Sequence, residues 1–275
     1  MDPRRIVSRV RPVKVPDHLE HRPIMTSSYP IWAFLILIVF LGGFIGSMIS
    51  GGSVLVFAIL AFLNVPVKTA IGTLKFAIMV LCLFSAVTFL RGGAVNVKLV
   101  PPLMLSSLAG ALLGTQIILS LPNEIVNAIV ILLICLGTAS SLRLETPKNP
   151  ESASAKPGRI LPVLTGLLLG INIGMLGIAS ALITISVLIS LFRLRMIEAN
   201  GTSKMIIFAN NLVACVAYAI NNNVDLLLGV LIAIPIAIGS WAGAKTALKM
   251  KGPTLRMVFV GISLLTIVKL LSEII

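Results

Sequence analysis

Long apolar runs dominate this sequence and constrain its fold more than any other feature. Runs near or above the roughly 20 residues needed to cross the hydrocarbon of a bilayer occupy residues 31–50, 70–90, 99–120, 124–142, 160–178, 203–220, 226–248 and 254–272. Only 11% of the 275 residues are charged, against roughly 25% in ordinary globular domains. The pattern predicts an all-α polytopic membrane protein with about eight transmembrane helices.

So little polar sequence remains outside these runs that several functions are excluded. No soluble catalytic domain fits, and both histidines, His18 and His21, lie in the N-terminal tail. We therefore expect no enzymatic activity, no cofactor and no metal site. Three cysteines stand isolated in apolar runs, as small packing residues do; they are Cys82, Cys135 and Cys215.

The net charge of +13 could suggest a nucleic-acid partner, but its distribution does not. Basic residues lie in the tail, in short loops and at the ends of the apolar runs, where they flank membrane helices. The lipid bilayer is the expected partner, with no nucleic acid bound and with homo-oligomerisation left open.

A repeated motif reveals the internal organisation of the chain. Residues Ala70–Lys75 read Ala-x-Gly-Thr-x-Lys, and Ala199–Lys204 read the same 129 residues later. Further landmarks keep this register to within one residue; they are Gly42 and Gly46 with Gly170 and Gly174, Asn96 with Asp225, and 110–114 with 239–243. The agreement predicts two homologous halves.

These halves and the polar stretches divide the chain into four parts. Residues 1–30 form a basic tail expected in the cytoplasm, and 31–143 form the first transmembrane repeat. Residues 144–159 are a polar linker, and 160–275 form the second repeat.

The apolar stretch 31–63 is too long for one span and too short for two. We expect its helix to break at the cluster Gly42–Ser53, and the first helix of the second half to break likewise. Arg91 and Lys98 are expected on the same side as the tail. Basic residues in the equivalent loops of the second half have the opposite bias, which favours inverted repeats. The extra crossing that inversion needs could come from 31–63 as two passes or as a hairpin.

Lys75 and Lys204 are the leading candidates for a substrate site, because the repeat places them at equivalent depths in two apolar helices. Each could instead extend its amino group to the membrane surface. Asn211, seven residues after Lys204, shares its helical face, whereas Asn210 does not; interhelical hydrogen bonding is the alternative role for both. The spans offer almost no carboxylate, so the lysines favour an anion over a metal cation.

Backbone and hydroxyl donors complete this predicted anion site. The remaining candidates are Gly51, Gly52, Ser53, Thr73 and Thr202. Glycines in such a cluster could also serve only for close helix packing.

These motifs resemble the TauE/SafE family of membrane permeases over residues 35–272. The most specific parts are Gly51-Gly52, Ala70-x-Gly72-Thr73 and Ala199-x-Gly201-Thr202. The resemblance implies a secondary transporter in the cytoplasmic membrane that exports sulfite, an organosulfonate or a related small anion. The second half departs from the pattern, since Ile178–Ala181 stands where a glycine cluster is expected. The alternative is a membrane subunit or assembly factor for a partner enzyme, without solute transport.

Overall fold

The computed structural model describes residues 29–48, 52–126, 129, 132, 160–175, 177 and 180–250. Gly51, the linker 144–159, most of the tail and the expected span 254–272 lie outside the described residues, as does most of 124–142. Eight helices have both ends within them; they are α1 (Tyr29–Met48), α2 (Gly52–Phe62), α3 (Val67–Arg91), α4 (Val100–Ser120), α5 (Ile160–Met175), α6 (Ser180–Phe192), α7 (Met196–Ile220) and α8 (Leu226–Lys249).

Four of these helices are long and apolar enough to cross a membrane, namely α3, α4, α7 and α8. They contain 21 to 25 residues each, or about 32 to 38 Å at a rise of about 1.5 Å per residue. No strand occurs in the described part of the chain. The prediction of an all-α, polytopic membrane protein is confirmed.

The equivalent helices α3 and α7 pack against each other in opposite directions. Near the start of α3, Gly72 lies against the carbonyl of Asn223, just beyond the end of α7. Near the start of α7, Gly201 lies against the carbonyl of Ala94, just beyond the end of α3. These two contacts are related by the same shift of 129 residues, an arrangement expected of inverted repeats.

Turn conformations repeat with the same shift. Asn64 and Arg193 both have left-handed backbone, with φ of 56° and 55°. Gly93 and Asn222 form a second left-handed pair, with φ of 66° and 57°. Residues with left-handed backbone commonly end helices. Here the first pair follows α2 and α6, and the second pair follows α3 and α7.

The two ends of α3 define two faces of the molecule. We call the end where α3 begins and α7 ends the Asp225 face, and the end where α3 ends and α7 begins the Asn96 face. Helix α8 runs parallel to α3, because Thr73 contacts Asp225 while Gly92 contacts Leu248 at the other end.

Helices α1 and α2 form a hairpin that enters from the Asp225 face. The first arm runs parallel to α8, since the carbonyls of Phe40 and Phe44 lie against Gly239 and Gly243. The second arm folds back: a Cβ on Gly42 would lie 3.3 Å from the carbonyl oxygen of Gly52. The overlong 31–63 segment is therefore a hairpin, one of the two alternatives that the sequence left open.

Helices α5 and α6 form the corresponding hairpin from the Asn96 face. Gly166 and Gly170 contact Leu103 and Ser107 on α4, so α5 runs parallel to α4. A break at Gly177, where φ is +73°, precedes α6, which ends four residues before α7 begins. The two hairpins thus enter the bundle from opposite faces.

The hairpin determines which face the start of α1 shares with the loops. Because α1 and α2 enter and leave at the Asp225 face, α1 begins opposite Arg91 and Lys98, which follow the other end of α3. These two residues therefore lie at the face opposite the start of α1, while the expectation that they share a side with the tail is untested, because most of the tail lies outside the described residues. The side on which the tail lies stays a prediction.

Small residues permit close contact between the halves. Gly110 and Gly114 on α4 lie against the carbonyls of Leu167 and Ile171 on α5, leaving no room for a Cβ. Small residues four positions apart commonly permit such close helix packing in membranes.

Candidate functional site

Both repeated lysines are buried and directed inward. Lys75 is 0% exposed and Lys204 is 1% exposed, so neither amino group reaches the membrane surface in this structure. Lys204 Nζ donates to the carbonyl of Gly46 at 2.6 Å, and Lys75 Nζ donates to the carbonyl of Ile173. Each lysine therefore contacts the hairpin of the opposite half.

The acceptors lie in the last turns of α1 and α5. Carbonyls in the last turn of a helix lack intrahelical partners and form the negative end of its dipole. Gly46 and Ile173 each lie two residues before the final residue of their helix. A buried lysine is a suitable partner for such a carbonyl, which explains how both amino groups are accommodated away from water.

A small cavity lies between the two hairpins, with Lys204 in its wall. Its volume is about 20 Å³, room for about one water molecule. The lining residues come from both breaks and from the lysine-bearing helices; they are Gly46, Gly52, Ser53, Ile78, Leu81, Cys82, Gly177, Ser180, Ala181, Lys204 and Ile207.

The second arms of both hairpins begin at this cavity. Gly52 and Ser53 open α2, and Ser180 and Ala181 open α6. The first-turn amides of a helix have no intrahelical acceptor and carry its positive dipole end. Two such helix starts and one lysine therefore face the same small volume.

Lys75 lies behind Gly177 rather than in the cavity wall. A Cβ at Gly177 would stand 3.0 Å from Lys75 Nζ and 3.5 Å from Asn211 Oδ1. Asn211 is fully buried, and its Nδ2 donates to the Ile207 carbonyl at 2.8 Å, which leaves Oδ1 without a partner among the described residues. The Lys75 and Asn211 side chains thus lie beside Gly177, which itself lines the cavity.

Thr73 and Thr202 lie outside the cavity lining. The hydroxyl of Thr73 accepts from the Asp225 amide at 2.9 Å, and the hydroxyl of Thr202 accepts from the Asn96 amide at 2.9 Å. Both threonines thus join the start of a helix to a loop of the other half. The sequence had placed them with the substrate donors, and the structure does not bring them there.

Asn210 and Asn200 connect helices. Asn210 Nδ2 donates to Ser107 Oγ at 2.8 Å, the interhelical role considered from the sequence. Asn200 Nδ2 donates to the carbonyls of Ser47 and Met48 at 3.2 and 2.6 Å, so it holds the end of α1 beside the Lys204 contact.

Several cavity residues were not among the predicted site residues, although a signal was present. Ile78 and Ile207 follow Lys75 and Lys204 by three positions, and Cys82 follows Lys75 by seven, as Asn211 follows Lys204. Positions three and seven apart share one face of a helix. If every residue on the helical face of each lysine had been selected, rather than the polar ones alone, these three residues would have been predicted.

No acidic residue of the described part of the chain lines the cavity. Within the described residues, Glu124, Glu198 and Asp225 are the carboxylates, and each lies at a helix start or in a turn. The same part of the chain contains no group of three potential metal-ligating side chains. The charges around the cavity therefore favour a negative ligand.

Comparison with known proteins places this architecture in a family. A family model described as sulfite exporter TauE/SafE matches residues 35–270. The chain belongs to the TauE/SafE family. This is a family of membrane transporters, and the resemblance seen in the sequence is confirmed.

Two curated relatives of this TauE/SafE chain have the same general description. A probable membrane transporter protein, ORF9, of a Sinorhizobium species is 23% identical over 247 residues, covering 90% of this chain and 94% of the relative. A probable membrane transporter protein of Haemophilus influenzae is 26% identical over 228 residues, covering 81% and 87% respectively. No solved structure matches the chain significantly.

Proposed function

We propose that this protein is a secondary transporter that exports a small anion, such as sulfite or an organosulfonate, across the cytoplasmic membrane. One observation carries the proposal: the starts of α2 and α6 converge with buried Lys204 on a single cavity. Free helix amides, two positive dipole ends and a lysine together suit an anion. The direction of transport, export, and the choice of sulfur-containing substrates are inferred from the description of the family.

The lysine contacts suggest how binding proceeds. In this structure the Lys204 amino group donates to the Gly46 carbonyl. An incoming oxyanion offers that group a stronger, charge-assisted acceptor, so Lys204 exchanges partners while the amides near Gly52 and Ser180 contact other oxygens. Lys75, which belongs to the first half and lies behind Gly177, adds a second positive charge.

The cavity is too small for an oxyanion in its present form. At about 20 Å³ it holds about one water molecule, whereas sulfite has four heavy atoms. The structure therefore corresponds to a closed state, and a hairpin has to move for substrate to enter or leave. Two hairpins that enter from opposite faces allow this movement on either side.

Anion flux into liposomes tests the proposal. Purified protein is reconstituted and offered sulfite, organosulfonates, sulfate and carboxylates, with and without a proton gradient. Lys204→Ala and Lys75→Ala are expected to lower flux of the transported anion about 10- to 100-fold, because each removes a charged hydrogen-bonding group worth about 1.5–3 kcal/mol.

Lys98→Ala is the matched control, since Lys98 is exposed in the loop between α3 and α4; its flux should equal that of the wild type. Undiminished flux in both lysine variants would reject the site. No flux of any anion through correctly inserted protein would reject the transport proposal and favour the assembly-factor alternative.

A further inference from the structure

The Gly-Thr part of each repeated motif forms a junction with the other half, away from the cavity. At the Thr73 junction, the Asp225 amide donates to Thr73 Oγ1 at 2.9 Å, and Gly72 lies against the Asn223 carbonyl. A Cβ on Gly72 would overlap that carbonyl oxygen. The start of α3 is thus fixed to the loop between α7 and α8.

The Thr202 junction repeats this geometry at the opposite end of α3. The Asn96 amide donates to Thr202 Oγ1 at 2.9 Å, and Gly201 lies against the Ala94 carbonyl. Each participating residue is 129 positions from its counterpart. The start of α7 is thus fixed to the loop between α3 and α4.

The two loop residues have matching second roles. Asp225 Oδ1 accepts from the Leu228 amide at 3.0 Å, and Asn96 Oδ1 accepts from the Leu99 amide at 3.3 Å. Asp225 therefore caps the start of α8 with its side chain, and Asn96 makes the equivalent bond in the turn that leads into α4, while the amide of each residue donates to its threonine. Breaking a junction would therefore release the start of the following helix together with the loop residue bonded to it.

Both junctions are closed in this structure, and the cavity lies between them. Thr73 precedes Lys75 by two residues, and Thr202 precedes Lys204 by two, so each junction fixes the helical turn that carries a lysine. We propose that the Thr73 and Thr202 junctions are the two gates of the transporter, closing the site toward the Asp225 face and the Asn96 face respectively. The inference rests on transport but on no particular substrate.

The gates are unequal in strength. At the Thr202 junction, Asn96 Nδ2 donates to Glu198 Oε1 at 3.0 Å, and Arg195 lies 3.8 Å from the other carboxylate oxygen of Glu198. Thr69 occupies the position equivalent to Glu198 and brings no carboxylate to the Thr73 junction. The Thr73 gate therefore opens more readily, and the empty protein exposes its site more often to the Asp225 face.

Two equivalent glycine substitutions test the gates separately. Gly72→Ala places a Cβ against the Asn223 carbonyl, and Gly201→Ala does the same against the Ala94 carbonyl. The reporter is Cys82 in the cavity wall, with the other two cysteines replaced by alanine. A membrane-impermeant thiol reagent is applied to oriented vesicles from one face at a time.

Each variant should raise Cys82 labelling from its own face only. Gly72→Ala is expected to accelerate labelling from the Asp225 face about tenfold, and Gly201→Ala from the Asn96 face about tenfold, because an overpacked contact destabilises the closed junction. If either alanine variant fails to fold, Thr73→Val or Thr202→Val replaces it. Each valine removes the hydrogen-bond acceptor, keeps the shape of the side chain and should raise Cys82 labelling from the same face.

Gly110→Ala serves as the control, because its Cβ would also meet a carbonyl but at the contact between α4 and α5. It should not produce one-sided labelling. Acceleration from one shared face, equal acceleration from both faces, or unchanged labelling in both variants would overturn the gate assignment. The readout needs no anion, so failure of the anion proposal would leave this result intact.

Discussion

At the scale of single residues, Asn200 is the side chain that secures the end of α1. Its amide nitrogen bridges the carbonyls of Ser47 and Met48, and the neighbouring Ser85 hydroxyl donates to Ser47 Oγ at 2.8 Å. Together these contacts fix the tip of the first hairpin, whose Gly46 carbonyl accepts from Lys204. The position of that lysine thus depends on an asparagine that need not touch substrate.

Asn200→Ala should destabilise the protein, because it leaves the carbonyls at the end of α1 buried and without this donor. We expect a loss of about 1–3 kcal/mol in the free energy of unfolding, seen as a lower thermal midpoint in detergent. Asn221→Ala is the control, since Asn221 is exposed just beyond α7 and its side chain donates to the nearby Ala217 carbonyl. Equal midpoints for the two variants would contradict this role.

The sequence could identify the two lysines but not their partners. A motif repeated near the start of two apolar helices is visible in the chain itself. The carbonyls that accept from Lys75 and Lys204 are 98 and 158 residues away, and no local pattern encodes contacts at that separation. For the same reason, the threonines beside them could not be assigned to loops of the other half.

At the scale of helices, glycine positions decide how closely α1 and α8 approach. Gly239 and Gly243 face the carbonyls of Phe40 and Phe44. Contacts of this kind leave no space for a side chain and are typical of small-residue interfaces in membranes.

Gly243→Ala should therefore weaken the bundle, by about 1–3 kcal/mol as overpacked contacts do. Gly229→Ala in the same helix is the matched comparison: its Cβ would meet only the Phe76 ring, at 3.0 Å, which can rotate away. Since alanine favours a helix over glycine by up to about 1 kcal/mol, that variant should be neutral or stabilising. Thermal midpoints of the two proteins in detergent measure the difference, and the opposite order would refute it.

The positions of the helices in the sequence could be predicted more fully than the direction in which each helix runs through the bundle. Apolar runs located the helices because their length and composition are local properties. The hairpins were less accessible: 160–178 was expected to contain a broken first helix of the second half, but the sequence did not show that α5 is the first arm of a hairpin. An apolar segment has the same composition whether it crosses the membrane or turns back within it. Which course it takes depends on its packing against α4 and α8.

At the scale of the whole molecule, the charges in the described loops fall mostly on one face. The charged residues near the Asn96 face are six basic ones and one acidic one, namely Arg91, Lys98, Arg193, Arg195, Lys245, Lys249 and Glu198. Near the Asp225 face lie Lys68, Glu124 and Asp225. The tendency of basic residues to remain inside predicts that the Asn96 face is cytoplasmic.

Cysteine labelling tests this arrangement of faces. Single cysteines at Val97 and Arg193 should react with an impermeant reagent from one side, and a cysteine at Asn222 from the other; all three positions are exposed. Reaction of Val97→Cys and Asn222→Cys from the same side would contradict the opposed directions of α3 and α7. A cysteine placed in the basic tail would show whether the tail or the Asn96 face is the cytoplasmic one.

The crossed lysine contacts have an evolutionary consequence. Lys75 donates to a helix of the second half, and Lys204 to a helix of the first, so neither half contains a complete site. A half-length ancestor could have built one only by pairing with a copy of itself inserted upside down in the same bilayer. Fusion of two such genes would have fixed that antiparallel dimer in one polypeptide and freed each copy to diverge.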